Sequence, residues 1–450
     1  MKIRSVALTK GAMWTIAQFG IGQAFRLSTN IILTRLLAPE LFGIMTIVNT
    51  LKAGVELISD VGIGQSIIYN QDGDKPDFYD TAWTINLIRG FILWAVTCVG
   101  AIPAAYFYHT PSLLLIIPAS SIVLVISGFT SVSQYLIQKK LQIAKLTVYE
   151  IIVGIIWATG QIGFAFFIPS VWALVLGMVF GSIVTMVGSY FLIPKLKHRL
   201  IISRTYSRQI LHLGKWIFLS SAIYFLSMSF DRLYLASVIP LALLGVYGIA
   251  RNISEIFTLL AMRLGSIVVF PFIALHSQMP RADLRAQLTS IRLKFLLLAA
   301  LGFSISAATV DFAINIIFDS RYHAASWMVP ILITGAWISV LCSLNESTLL
   351  GIGRPRFGAI GYGLKFCFLL VSLPLSFNSF GTLGGIVVIA VSDVFRYVSL
   401  VIGQLQERIA FFKQDLTTTI LMLGFLLFFE WLRWYLGLGI SLGNLPMAGR

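Results

Sequence analysis

Charge is scarce in this sequence. Charged residues make up 11% of the 450 positions, and only 18 are acidic; a soluble chain of this length carries about 25% charge. That shortage excludes an ordinary soluble globular domain. Cysteine is nearly absent. Cys98, Cys342 and Cys367 all fall in apolar runs, without metal-ligand spacing or a disulfide framework, so they read as inert buried thiols. Long polar stretches are missing too. No connection on the less basic side exceeds about ten residues and no soluble domain is inserted, which leaves little room for chemistry outside a membrane.

Apolar length is what the chain does have. Hydrophobic residues make up 58% of it, and the mean hydropathy is +0.89. Apolar runs about as long as a bilayer is thick repeat from end to end. They predict an all-α polytopic membrane protein of about thirteen transmembrane helices, at 11–36, 40–69, 81–107, 112–137, 146–168, 170–194, 210–236, 241–275, 292–318, 325–350, 357–377, 382–405 and 416–438. The start of the chain, Lys2, Arg4 and Lys10 before an apolar run, has the look of a signal peptide. The run carries Arg26 and reaches Leu37 without a small-x-small cleavage site, so it reads as an uncleaved first helix.

Lys and Arg outside these spans fall 20 on one side and 3 on the other. The 20 include five in 195–209 and four around 276–294, namely Arg281, Arg285, Arg292 and Lys294. By the positive-inside rule the N-terminus and the basic connections are cytoplasmic. The net charge of +15 is therefore a topology signal. It does not form the concentrated basic face that nucleic acid requires.

A weak internal repeat is present. Trp14 and Trp216 lie 202 residues apart, as do Gly43 and Gly245, and each pair brackets an apolar span, a Pro-containing turn and a Gly-opened helix. Six spans separate the copies, so both start on the same side. This predicts two parallel six-helix lobes, 1–194 and 210–405, joined by the basic linker 195–209 and followed by an extra C-terminal helix in 406–450.

Ionisable residues stand inside the spans: nine cations (Arg26, Lys52, Arg89, Lys215, Arg232, Arg251, Arg263, Lys365, Arg396) and seven acids (Glu56, Asp60, Asp231, Glu255, Asp311, Glu346, Asp393). Each costs about 2.5–3.5 kcal/mol at mid-bilayer on an insertion scale, so it must face an opposite charge or internal water. Gln18, Gly22, Arg26 and Asn30 recur every four residues, as do Lys52, Glu56 and Asp60; such spacing makes one polar stripe per helix. Arg251–Glu255, Lys52–Glu56 and Asp393–Arg396 have the alternative of plain intrahelical ion pairing. Asp311, Lys215 and Arg263 have the alternative of snorkelling to an interface. Arg26 and Arg89 have no acid three or four positions away. The aromatic residues, 13% of the chain, read as lipid-facing and interfacial.

Guanidinium groups suit a phosphate, because they fork to it and never lose their proton. Arg26, Lys52, Arg89 and Arg251, with Arg232, are the candidate binders of an anionic head group. Asp60, Asp231 and Glu255 are candidates to carry a coupling H+ or Na+, or to orient the arginines. No catalytic residue, metal site or cofactor is predicted.

The segments "TRLLAPELFGIMTIV" (Thr34 to Val48), "DVGIGQSII" (Asp60 to Ile68), "AWTINLIRG" (Ala82 to Gly90), "LIQKKLQ" (Leu136 to Gln142) and "GIGRPR" (Gly351 to Arg356) resemble the polysaccharide-exporter branch of the multidrug/oligosaccharidyl-lipid/polysaccharide (MOP) exporter superfamily. These are bacterial flippases for O-antigen, capsule and exopolysaccharide repeat units. The resemblance implies a V-shaped pair of six-helix lobes working by alternating access in the bacterial inner membrane. The implied substrate is an undecaprenyl-pyrophosphate oligosaccharide, and the implied partners are membrane lipids and the glycan polymerase and glycosyltransferases of one pathway. In related lipid flippases, cations of the first, second and eighth helices line a central cavity; Arg26, Lys52 and Arg251 stand in those helices here. Lys52 departs from the pattern because lysine cannot fork to phosphate, and the thirteenth span carries Glu430 and Arg433. The alternatives are a drug or metabolite antiporter of the same superfamily and, from another class, a membrane-embedded glycan polymerase or ligase.

Overall fold

The computed structural model describes residues 2–60, 62–194, 196–264, 269, 272–273 and 279–441, with only the backbone of 2–18, 143, 211–219, 261 and 264. Among the described residues, fifteen α-helices and one short 3-10 turn make up the regular structure. They are α1 (Lys2–Leu36), α2 (Pro39–Ile58), α3 (Ile63–Tyr69), α4 (Pro76–Phe107), α5 (Leu113–Gly128), α6 (Ser133–Lys139), α7 (Ile143–Phe167), α8 (Val171–Leu192), α9 (Arg204–Val238), α10 (Leu241–Leu264), α11 (Arg281–Ile317), α12 (Ala325–Gly351), α13 (Arg356–Val391), α14 (Asp393–Gln406) and α15 (Phe412–Tyr435). Nine spans among the described residues are long and apolar enough to cross a bilayer, ten with the bent pair α5 and α6 taken as one. Length and apolarity thus make the chain a polytopic membrane protein without establishing thirteen crossings.

Proline opens two helices where its missing N–H costs nothing, Pro39 on α2 and Pro76 on α4. Pro103, Pro118, Pro330 and Pro374 lie inside helices, and Pro271 lies outside the described residues.

Three expected spans are interrupted. The run 40–69 breaks between α2 and α3. Gly62 there takes φ 68°, a conformation that favours glycine, and its amide donates to Asp60 Oδ1 at 2.9 Å. The run 112–137 bends by 54° between α5 and α6. Its turn is tied to α8: the Ser131 amide donates to Ser189 Oγ, and Ser133 Oγ–H to the Ser189 carbonyl. Helix continues from α13 across the expected boundary at 377–382 with a kink at Gly381 (φ 60°), and the following helix starts at Asp393. Window-averaged hydropathy sees none of these breaks, because each is a few polar or small residues inside a longer apolar run. Most of 265–278 lies outside the described residues, so the expected end of the eighth span at 275 does too.

The chain divides into two compact units. Unit 1 is Met1–Phe225 with Leu235–Gly245, and unit 2 is Leu226–Tyr234 with Val246–Arg450. In unit 1, α4 packs on α5, α7 on α8, α1 on α7 and α5 on α8. In unit 2, α12 packs on α11, α13 and α14, and α15 packs on α11. α12 is buried along most of its length, and fully buried Trp337 on it donates to Thr419 Oγ1 of α15 at 2.9 Å.

Two sequence placements are corrected. Arg292, counted above among the basic connections, lies inside α11 at 1% exposure with its guanidinium 2.7 Å from Asp415. Asp311 does not snorkel. It is buried, and Arg433 donates to both its oxygens at 2.8 Å. Both follow from α15, whose acid and base neutralise them.

Candidate functional site

Five side chains of α9 and α10 form one ionic cluster within unit 2. Tyr247, Arg251 and Glu255 follow at four-residue steps and so share one face of α10. Asp231 and Arg232 face them from α9. The Tyr247 hydroxyl donates to Asp231 Oδ2, and Arg232 Nη2 donates to Glu255 Oε1. Arg251 Nε lies 3.4 Å from Asp231 Oδ2 and 3.3 Å from Glu255 Oε1, with an aligned hydrogen bond to neither. Two guanidiniums and two carboxylates give the cluster no net charge. Asp231 is buried, whereas the side chains of Arg232 and Glu255 are 21% and 27% exposed. The cluster is thus neutralised internally, open on one side, and holds one arginine loosely.

The other charges of unit 2 are held more tightly. Lys365 Nζ donates to Asp393 Oδ1 at 2.9 Å, and the Ser339 hydroxyl donates to Oδ2. Arg396 donates to Glu346, stacks 4.4 Å over the Tyr362 ring, and reaches Asp393 at 3.8 Å. Asp415 accepts from Arg292, Asn345 and Tyr397 at 2.7, 3.0 and 3.0 Å. Lys365, Asp393, Arg396, Arg292 and Asp415 are all buried. Such pairs cross-link helices, since leaving either partner alone would strand a buried charge.

Arg26, Lys52, Arg89 and Asp60 belong to unit 1. Arg26 and Lys52 are half-buried on α1 and α2. Lys52 does not make the alternative ion pair with Glu56; among the described residues it has no hydrogen bond or ion pair. Arg89 of α4 donates to the Glu56 carbonyl at 2.7 Å, to the Ser59 carbonyl at 3.0 Å and to Ser59 Oγ at 3.0 Å. It caps the carbonyl end of α2, where the helix leaves acceptors unpaired. Lys215 lies outside the described side chains. Arg263 is exposed.

The sequence reading missed Tyr247, although its four-residue step before Arg251 was visible. It also missed a buried trio at the end of unit 1. His198 Nδ1 faces Asp80 Oδ1 at 3.5 Å, and Nε2 lies 2.9 Å from Ser131 Oγ. Trp83 stacks on the ring at 5.1 Å, with Tyr79 and Tyr190 edge-on. Burial pushes the imidazole below its ordinary value, with the Asp80 charge pulling the other way. Among the described residues no group of three or more His, Cys, Asp or Glu is arranged to hold a metal.

Long apolar helices with opposed charges inside them define a polytopic membrane protein. The sequence profile described as "Polysaccharide biosynthesis protein" matches residues 32–327, and the chain belongs to that family. It is 22% identical over 388 residues to the lipopolysaccharide biosynthesis protein WzxC of Escherichia coli (strain K12), covering 85% of this chain and 74% of WzxC. It is 22% identical over 302 residues to the teichuronic acid biosynthesis protein TuaB of Bacillus subtilis (strain 168), covering 66% of this chain and 62% of TuaB. Among solved structures, the fold matches that of the lipid II flippase MurJ in an inward closed conformation, with a TM-score of 0.71 at 12% identity over 94% of this chain and 92% of MurJ. It also matches an inward-facing multidrug resistance MATE transporter of the MOP superfamily, with a TM-score of 0.62 at 16% identity over 88% of this chain and 97% of that one. The fold is therefore one that MurJ and this MATE transporter share.

Proposed function

We propose that this protein flips a lipid-linked oligosaccharide, an undecaprenyl-pyrophosphate repeat unit, across the bacterial inner membrane for O-antigen, capsule or exopolysaccharide synthesis. Family membership supports the polysaccharide pathway, and the fold shared with a lipid flippase supports a lipid-borne cargo. The observation that carries the reading is Arg251, lodged between two carboxylates without an aligned hydrogen bond, beside the partly exposed Arg232. A pyrophosphate cannot enter hydrocarbon bare, because desolvating its charge costs many kcal/mol. Guanidiniums offset that cost by forking to its oxygens. Arg251 and Arg232 of unit 2 contact the head group while the prenyl tail stays in lipid, and Arg26 and Lys52 of unit 1 are separate candidates for the same charge. Arg89 acts on the shape of α2. The basic connections face the cytoplasm, and cargo moves outward by alternating access.

The test is genetic. A deletion strain is complemented with Arg251→Ala, Arg26→Ala or Lys52→Ala, and surface glycan is assayed at matched protein level. The expected result is loss of glycan. Normal glycan with all three variants overturns the cationic route.

A further inference from the structure

Glu255 already occupies the place of an anion. Its Oε1 accepts from Arg232 and lies 3.3 Å from Arg251 Nε, so one carboxylate oxygen meets both guanidiniums of the cluster. Among the described residues, the other charges facing this point are Asp231 and Arg232 of α9 and Arg251 of α10, with the Tyr247 hydroxyl beside them, and Asp393 of α14 acts on Arg251 at longer range. Asp231 keeps a second partner in the Tyr247 hydroxyl and is buried. Among the described residues Glu255 has only the two arginines as partners and is 27% exposed, so it is the acid that can turn away.

We infer that Glu255 is a built-in stand-in for the substrate's phosphate, displaced when the head group binds and taking up a proton from water as it leaves. The inference rests on the head-group reading of Arg232 and Arg251. The electrostatics are additive. Two arginines against Asp231 and Glu255 sum to zero, so a pyrophosphate diester brings the filled cluster to −2. A bare carboxylate released beside that dianion, in poorly solvated surroundings, is strongly disfavoured. Protonation of Glu255 at a carboxylate oxygen removes one of those charges. Head-group binding and proton uptake are then one event. When the head group leaves, Glu255 returns its proton to water and recloses on Arg232 and Arg251. One proton thereby accompanies each lipid carried, bound and released with it, with no ion site beyond the residues that grip the cargo.

The probe is a short-chain prenyl-pyrophosphoryl sugar, a pyrophosphate diester whose charge is constant from pH 5.5 to 8. The protein is the full chain in lipid nanodiscs. Calorimetry in two buffers of different ionisation enthalpy reads the protons bound with the ligand. Wild type is expected to take up about one proton per ligand, and its affinity to rise by about tenfold per pH unit of acidification. Glu255→Gln keeps a neutral group of the same shape beside Arg232. It is expected to bind with no proton uptake, independently of pH and more tightly than wild type at pH 8. Equal proton uptake by wild type and Glu255→Gln, or binding by wild type with none, overturns the stand-in and leaves the head-group reading intact. No binding by wild type, or undiminished binding by folded Arg251→Ala, overturns the head-group reading itself.

Discussion

Gly43 and Gly245, 202 residues apart in sequence, touch in the fold: a Cβ on Gly245 would lie 2.9 Å from the Gly43 amide nitrogen. A Cβ on Gly43 would fall 2.0 Å from the Leu241 carbonyl oxygen, and one on Gly245 would fall 2.0 Å from that of Pro39. Leu241 and Pro39 are also 202 apart, so the contact is reciprocal at the spacing of the sequence repeat. All four residues belong to unit 1.

Backbone on both sides leaves no side chain to give way. Gly43→Ala and Gly245→Ala should each destabilise by about 1–3 kcal/mol, the usual cost of overpacking. Gly100→Ala, with nothing within 4 Å of its added methyl, should be neutral or slightly stabilising. Thermal unfolding in detergent at matched purity distinguishes them; equal behaviour of the three variants removes the close-contact explanation.

α15 is keyed to α11 by two ion pairs of opposite sense. Arg292 of α11 meets Asp415, and Asp311 of α11 meets Arg433 with two hydrogen bonds of 2.8 Å. The pins lie 19 residues apart on α11 and 18 apart on α15, a rise of about 28 Å, close to one hydrocarbon thickness. The helices therefore run parallel; an antiparallel α15 would oppose Arg with Arg and Asp with Asp. Arg433→Asp should cost about 3–5 kcal/mol through the buried charge it strands. The exchanged variant, Asp311→Arg with Arg433→Asp, should recover most of that loss. Unfolding and membrane yield of the single and exchanged variants provide the check, and a double variant no better than the single one refutes the pairing.

Arg89 binds carbonyls at the end of α2, so its loss should register in stability before it registers in head-group affinity. Arg89→Gln is expected to lower stability by about 1.5–3 kcal/mol, the worth of hydrogen bonds to a charged group. Its affinity for the pyrophosphate probe should stay within about threefold of wild type. A variant that is fully stable but unable to bind would move Arg89 into the head-group site.

His198 predicts a pH dependence in the connection 193–203. The ring's Nε2 lies within hydrogen-bond reach of Ser131 Oγ at 2.9 Å, and its Nδ1 faces Asp80 Oδ1 at 3.5 Å. The same connection is stitched to α4 by the Ile201 and Ser203 amides, each donating at 3.2 Å, to Thr84 and Thr81. Because the folded imidazole is held below its ordinary 6.5, its contribution is present above that pH and is lost as pH falls through the folded value. Hydrogen exchange at Ile201 and Ser203, corrected for intrinsic rates, should show protection falling from pH 7 to pH 5. In His198→Gln the protection should not change with pH. An unchanged pH profile in the variant would assign the effect to another group.

Much of the site's membership was legible before any fold was known. Asp231, Arg232, Arg251 and Glu255 stand out because an ionised group in an apolar run is costly and therefore functional or paired. Their partners were not legible in the same way. The four-residue step suggested Arg251 with Glu255 and left Arg232 unassigned, whereas Glu255 also holds Arg232, 23 positions away. Lys52 and Glu56 show the same step and do not pair, because i,i+4 spacing brings side chains near without making them meet.

The sequence by itself determined the class of this protein. Hydropathy and loop charge are sums over neighbouring residues, so the apolar helices and their family motifs could be read one segment at a time. Only the tertiary structure decided how the charges are neutralised. Asp311 and Arg433, 122 positions apart, pair only because two helices adopt one register. Register depends on how whole faces pack, which no local window of sequence records.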